Sequence, residues 1–195
     1  MKKNLWKEEQ VGKDNYQLMN LSHPEVDLRV IAEMEAGVDV YYDRRWGATA
    51  ILTDWMGENL DVIRNKRILI LGAGVGAETL ILGSYGKHVW INDLAPVALE
   101  LCGEQMEKND LENFTTLVGR YEDLDLPEVD LVVASFLIYN KETYEAMRSF
   151  MKQQQKCDLI LVNERLDPFP KFLNEEAHEI VFEKDGAVGV LLKRA

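Results

Sequence analysis

The chain has only two cysteines, Cys102 and Cys157, too few and too far apart for a disulfide framework or a paired-cysteine metal site. Histidine is as scarce: His23, His88 and His178 are scattered, so no metal site is expected. No apolar run approaches the ~20 residues of a membrane-spanning helix, which argues against a membrane partner. Charges at Met1 to Glu9 stand where a secretory signal needs an apolar core, so a cytoplasmic location is expected. Basic residues are outnumbered: 22 Lys and Arg face 34 Asp and Glu, for a formal net charge of −12. A nucleic-acid partner requires a basic face, so none is expected. An acidic surface would steer a basic protein or peptide; it would equally serve solubility alone. No internal repeat and no low-complexity segment is present.

What is present is organised around Arg67-Ile68-Leu69-Ile70-Leu71-Gly72-Ala73-Gly74-Val75-Gly76-Ala77-Glu78. The run 68–71 is apolar on both faces, as suits a strand buried in a parallel sheet. Gly72, Gly74 and Gly76 allow a tight turn and close approach to a ligand. The helix that follows would aim its free N–H groups at that ligand. A second strand, around Val89 to Ile91, leads to Asp93, about twenty residues after Gly72. That is the usual distance for a carboxylate that grips a ribose.

The length, 195 residues, suits a domain with a sizeable core. Residues 1–45 read as an extension. Its expected β-hairpin pairs 28–34 with 38–43 around Glu35-Ala36-Gly37. Ala48, Ile51, Leu52 and Trp55 recur at helical spacing, with Trp46 at the mouth of that helix. Further helices are expected at 78–85, ended by Gly86, at 96–108, opened by Pro96, and at 141–152. Strands are expected at 114–118, 129–135 and 157–162, then a loop over 163–170. Residues 177–183 and 188–193 flank Asp185-Gly186, a strong hairpin signal. Alternating strands and helices give a doubly wound α/β domain over 46–195.

Leu69 to Gly76 resembles the first motif of the class I, seven-stranded S-adenosylmethionine-dependent methyltransferases. Asn92-Asp93-Leu94-Ala95-Pro96 resembles their second motif, Val129 to Ser135 their fourth-strand motif, and the closing hairpin their last two strands. Arg45-Trp46-Gly47-Ala48-Thr49-Ala50-Ile51-Leu52 is similar to the tryptophan-led segment of the protein-lysine methyltransferases. The region 92–99 looks like the enzymes that act on the electron-transfer flavoprotein β subunit and on ribosomal protein L11.

The resemblance implies a Rossmann-like methyltransferase fold, with a mostly parallel seven-stranded sheet and a C-terminal antiparallel hairpin. It implies S-adenosyl-L-methionine as cofactor and a methyl acceptor that is a protein, such as a lysine, or a small molecule. It implies a cofactor site of Trp46, Gly72, Ala73, Gly74, Gly76, Asp93, Leu94, Tyr121, Glu122, Ser135 and Phe136. Within it, Asp93 takes the ribose, Leu94 one adenine face, and Ser135 and Phe136 the transferable methyl. Tyr139 is the candidate catalytic residue, orienting the acceptor amine.

Three departures stand out. Leu71 replaces the acid many members carry before the first glycine. Arg120 occupies the place of an adenine-reading aspartate. Phe136 replaces the aspartate of an Asp-x-x-Tyr motif whose tyrosine, Tyr139, is kept. Two other readings stay open. Gly72-x-Gly74-x-x-Ala77 also satisfies the NAD(P) fingerprint of an oxidoreductase, with Asp93 on the adenosine ribose. A methyltransferase-like domain could also serve as a non-catalytic binding module. The sequence leaves the oligomeric state undetermined.

Overall fold

The structure, a computed structural model, describes residues 4–44, 46–154 and 156–193; Arg45, at the head of the tryptophan-led segment, lies outside them. The chain runs β1 (Trp6–Val11), β2 (Asp14–Met19), α1 (Pro24–Glu35), α2 (Gly47–Glu58), β3 (Arg67–Leu71), α3 (Glu78–Tyr85), β4 (His88–Asp93) and α4 (Pro96–Lys108). It continues through β5 (Phe114–Val118), β6 (Leu131–Ser135), α5 (Lys141–Gln153), β7 (Asp158–Glu164), α6 (Phe169–Glu175), β8 (Glu179–Lys184) and β9 (Ala187–Leu192).

Seven strands form one sheet in the order β5-β4-β3-β6-β7-β9-β8. Pairing is parallel from β5 to β7, and β9 runs antiparallel to both its neighbours. The expected closing hairpin therefore forms, with its second strand inserted between β7 and β8. Its turn has positive φ at Asp185 and Gly186, as a two-residue hairpin turn requires.

Alternate residues of the central strands feed two cores. Ile68, Ile70, Ile91, Leu131 and Val133 meet Leu52, Met56, Leu80, Ile81 and Met106 of α2, α3 and α4. Leu69, Leu71, Val132, Ala134 and Leu161 meet Met147 and Phe150 of α5 and Phe169 and Phe172 of α6. Burial on both faces is what the uninterrupted apolar runs required. The connections leave β3 and β6 toward opposite sides of the sheet. The crevice at their carboxyl ends is where open α/β sheets bind ligands.

Two segments depart from expectation. An N-terminal hairpin forms, but from β1 and β2, which pair antiparallel. Residues 24–35 are helix instead of a strand at 28–34, and residues 38–42 have no regular structure. Pro24 opens α1, Glu25 and Asp27 favour its first turn, and Val26, Val30 and Glu33 are its buried face. The apolar residues that suggested a strand, Leu28, Ile31 and Met34, are exposed, at 69%, 50% and 57%. The second departure is α6, where part of a loop was expected over 163–170. Phe169, Phe172 and Leu173 recur at helical spacing and are buried. Pro170 sits in the first turn, where its missing N–H costs little. Residues of β2, α1 and the following segment pack on α4: Met19, Val26, Val30 and Tyr42 share a cluster with Val75, Ala98 and Leu101.

Candidate active site

Beyond β3 the chain reverses through Gly72 and Gly74, at φ +57° and +54°, a region side chains disfavour. A Cβ on Gly72 would stand 2.4 Å from Leu137 Cδ2, and one on Gly74 3.1 Å from Tyr42 Cβ. These glycines thus make room for the protein's own Leu137 and Tyr42, besides leaving the turn open to a ligand.

Asp93 ends β4 beside that turn. Its Oδ2 accepts from the Gly74 N–H at 2.7 Å and its Oδ1 from the Ala95 N–H at 3.0 Å. Burial raises its carboxyl above the ordinary aspartate range, while the backbone donors of Ala95, Gly74 and Leu94 pull the other way. The Ala73 N–H donates to the Asn92 carbonyl at 2.9 Å, tying the turn to β4. Asn92 Nδ2 donates to the carbonyls of Leu117 and Gly119, each at 2.9 Å, and so fixes the loop after β5.

On the far side, β6 ends in Ser135. Its hydroxyl oxygen is buried and has no hydrogen-bond partner among the described residues. Phe136 follows at φ +56°, its N–H donating to the Val162 carbonyl at 2.7 Å. Its ring lies near-parallel to Trp46, 5.1 Å between centroids and 15° between planes. Tyr139 lies 6.4 Å from the same ring, at 14°. Tyr41 extends this wall, 6.2 Å from Tyr139, and its carbonyl accepts from Trp46 Nε1 at 3.1 Å. Desolvation, then the proximity of Tyr41, Glu142 and Asp39, raises the Tyr139 phenol above its usual value.

All twelve residues expected from the sequence line one cavity of about 470 Å³: Trp46, Gly72, Ala73, Gly74, Gly76, Asp93, Leu94, Tyr121, Glu122, Ser135, Phe136 and Tyr139. That volume lies within the ~300–1,000 Å³ of small-molecule sites. Arg120 ties the rim together: its guanidinium reaches Glu122 at 2.7 Å and Glu142, in the first turn of α5, at 3.1 Å. Asn140 caps α5 by accepting from the Thr143 N–H at 2.8 Å. Asn163 and Arg165, at and just past the end of β7, do not line the cavity; Arg165 pairs with Glu183.

Sequence reasoning missed Asp39, Tyr41 and Tyr42, because no periodicity announces that the stretch after α1 crosses the carboxyl end of the sheet. It also missed Thr49 and Glu78, which line the cavity. Glu78 carried a signal: an acid in the first turn after the glycines.

A family model described as a methyltransferase domain matches residues 68–156. The chain is 26% identical over 141 residues to the human electron transfer flavoprotein beta subunit lysine methyltransferase, covering 67% of this chain and 54% of that protein. It is 26% identical over 107 residues to the histone-arginine methyltransferase METTL23 of Xenopus laevis, covering 51% and 46%. The chain thus spans about half the length of these relatives. Among solved structures, a T. thermophilus 16S rRNA methyltransferase, in complex with AdoMet and guanosine, superposes with a TM-score of 0.70 at 15% identity. That match covers 99% of this chain and 52% of that one.

Sheet order, motif order and these matches support a class I, seven-stranded methyltransferase domain. Within that class its sequence is similar to enzymes named for protein lysine and arginine acceptors. No helix among the described residues is long and apolar enough to cross a membrane.

Proposed function

We propose that this domain transfers a methyl group from S-adenosylmethionine to an amine nitrogen of a protein side chain. The observation that carries this is the sharing of one cavity by two features: a carboxylate held ready at the glycine turn, and an aromatic wall at the open side. The residues present fit the cofactor. Asp93 has two oxygens for two ribose hydroxyls. Leu94, 60% exposed at the rim, and Tyr121 offer apolar surface to a base. Ser135, whose buried hydroxyl has no hydrogen-bond partner among the described residues, lines the same cavity.

The bound cofactor supplies a methyl already activated by its sulfonium, so the protein needs no nucleophile of its own. The chain's task is alignment and exclusion of water. Trp46 and Phe136 wall the cavity, and the amine's alkyl stem would lie along them. An amine arrives as a cation; Asp39 at the cavity attracts it, and the aromatic faces favour it by cation–π attraction. It must lose a proton before it attacks, and the half-exposed mouth gives that proton to water. Tyr139, a phenol neutral at physiological pH and raised further by burial, orients the nitrogen through its hydroxyl and does not act as a phenolate base. Asp39 thus supplies a carboxylate at the cavity even though Phe136 holds the position of the Asp-x-x-Tyr acid. A protein acceptor is favoured over a small molecule by the acceptors that the relatives are named for.

The test has two parts. Calorimetric titration with S-adenosylhomocysteine should give micromolar binding that Asp93→Ala abolishes, with no binding of NAD. Labelled S-adenosylmethionine and a cell extract should then yield label that protease treatment releases from the protein fraction. No binding by a cooperatively melting protein would sink the enzyme reading and leave a non-catalytic module. Label surviving in a small-molecule fraction would sink the protein acceptor.

A further inference from the structure

Helix α1 is apolar on both sides. Val26 and Val30 of its inner face pack on the domain, whereas Leu28, Ile31 and Met34 stand in solvent. Among the described residues, α1 is the only helix that exposes large apolar side chains. The three follow one another at three-residue spacing, so they form one ridge along the helix. Grouped exposed apolar residues of this kind mark a contact surface, because solubility alone would favour polar ones there.

The ridge is bordered by acids. Asp27 and Glu35 lie one turn before and one turn after Ile31, Glu25 lies one turn before Leu28, and all three are exposed. Arg29, the only base of α1, is turned to α4, where Glu100 and Glu104 hold it at 2.8 and 2.7 Å. The outer face is therefore apolar with a negative border, and α1 offers it no free cation. A second copy of the same face would set acid against acid. A segment with apolar anchors between Lys and Arg complements it in both respects.

The ridge also points at the site. Glu33, near the end of α1, accepts from the Val97 N–H in the first turn of α4, while Arg29, a turn earlier, reaches Glu100 and Glu104 further along that helix. The two helices thus run antiparallel, and α1 ends at the carboxyl edge of the sheet, where Asp93 and the exposed Leu94 precede α4. Past Gly37 the chain continues into Asp39 and Tyr41, which line the cavity.

We propose that the outer face of α1 docks the protein acceptor through an amphipathic helical segment whose apolar residues are bordered by Lys or Arg. The inference rests on the protein-acceptor reading above and deepens it: α1 selects the protein, and the cavity selects the amine.

The probe is a synthetic peptide of Leu, Ala and Lys patterned as an amphipathic helix. Its controls are a scrambled peptide of the same composition and one with Glu in place of Lys. Fluorescence anisotropy compares wild type with two triple variants, Leu28→Gln, Ile31→Gln, Met34→Gln and Glu25→Gln, Asp27→Asn, Glu35→Gln. These side chains are exposed, so the variants should melt near wild type. The patterned basic peptide should bind wild type, and each variant about tenfold more weakly. In a cell extract with labelled S-adenosylmethionine, the same peptide in excess should suppress protein labelling by wild type. The apolar-face variant should label protein about tenfold less, at unchanged S-adenosylhomocysteine affinity.

No binding of the patterned peptide by wild type, equal binding of the scrambled one, or equal labelling by wild type and variant would overturn the proposal. A wild-type dimer in sedimentation that the apolar-face variant dissolves would also overturn it, by assigning the face to a second copy. If that variant does not melt cooperatively, hydrogen exchange of wild type decides: slowing by the peptide centred on α1 supports the proposal, and slowing elsewhere or nowhere overturns it. Wild type that labels no protein would overturn the protein-acceptor reading and this proposal with it, whereas equal labelling overturns the docking face alone.

Discussion

Asn163 holds Ile138 by both of its backbone groups: Oδ1 accepts from the Ile138 N–H at 3.1 Å, and Nδ2 donates to the Ile138 carbonyl at 2.9 Å. Both residues are buried, at 1% and 0% exposure. Asn163 follows Val162, the β7 partner of Ser135, so the clamp lies beside the end of β6. It fixes the loop that carries Phe136 and Tyr139, including the left-handed Phe136 backbone. Replacing Asn163 with Leu would strand two buried polar groups, at about 1–3 kcal/mol each. The expected result is a lowered melting temperature and a loss of kcat/KM larger than the loss of S-adenosylhomocysteine affinity.

In the proposed ribose-holding role, Asp93 should make cofactor affinity pH-dependent. Burial raises its carboxyl, so on acidification it protonates earlier than an ordinary aspartate. The ionised form accepts from two hydroxyls, whereas the protonated form has surrendered part of that capacity. Affinity for S-adenosylhomocysteine should hold near neutral pH and weaken as pH falls through the raised value. Asp93→Asn should bind weakly and with a flatter pH profile, which titration calorimetry at several pH values would reveal.

Tyr139→Phe removes a hydroxyl from the mouth of the cavity and nothing from the cofactor's side. The expected outcome is a kcat/KM reduced about tenfold, in line with one lost orienting hydrogen bond, at unchanged S-adenosylhomocysteine affinity. A kinetic profile that followed phenolate formation at high pH would contradict the orienting role.

Trp46 stacks on Phe136 and anchors its indole N–H on the Tyr41 carbonyl. Trp46→Ala should therefore loosen the 38–44 stretch and raise the KM for the acceptor. Trp46→Phe, which keeps the stacking face, should retain most activity. Limited proteolysis between α1 and α2 would report the loosening directly.

Asp130 ties the base of β6 to β3, accepting from the Arg67 guanidinium and from its backbone N–H, each at 2.8 Å. Arg67 lowers the Asp130 carboxyl to about 2. A carboxylate with a depressed native value stabilises above its unfolded value and loses that contribution as pH falls toward about 2. The melting temperature of Asp130→Asn should sit below wild type at pH 6 and converge with it as pH approaches 2.

Legibility in the sequence followed the spacing of the evidence. The glycine turn, Asp93 and Ser135 each stand at the end of an apolar run, so their placement on one edge followed from the parallel sheet alone. Helix α4 was legible to its last residue because Pro96 opens it and Asn109 closes it. Helix α1 was misread because its buried face, Val26, Val30 and Glu33, includes a charged residue, while its exposed face carries Leu28, Ile31 and Met34. Glu33 is buried because its carboxylate accepts from the Val97 N–H at 2.8 Å, atop α4, and from the Tyr42 hydroxyl. No local pattern contains such a partner 64 residues away.

By itself, the sequence determined the strands of the main sheet, most of the helices on its faces and the edge that carries the candidate site. Those follow from periodicity and turn chemistry, which act over a few residues. Only the tertiary structure decided what closes that edge. Tyr41 and Tyr42 cross it because α1 docks on α4, Phe136 is turned toward Trp46 because Asn163 clamps the next turn, and Glu78 enters the cavity because α3 starts beneath the glycines. Each is a contact between segments far apart in the chain, fixed by packing and hydrogen bonding that no local pattern encodes.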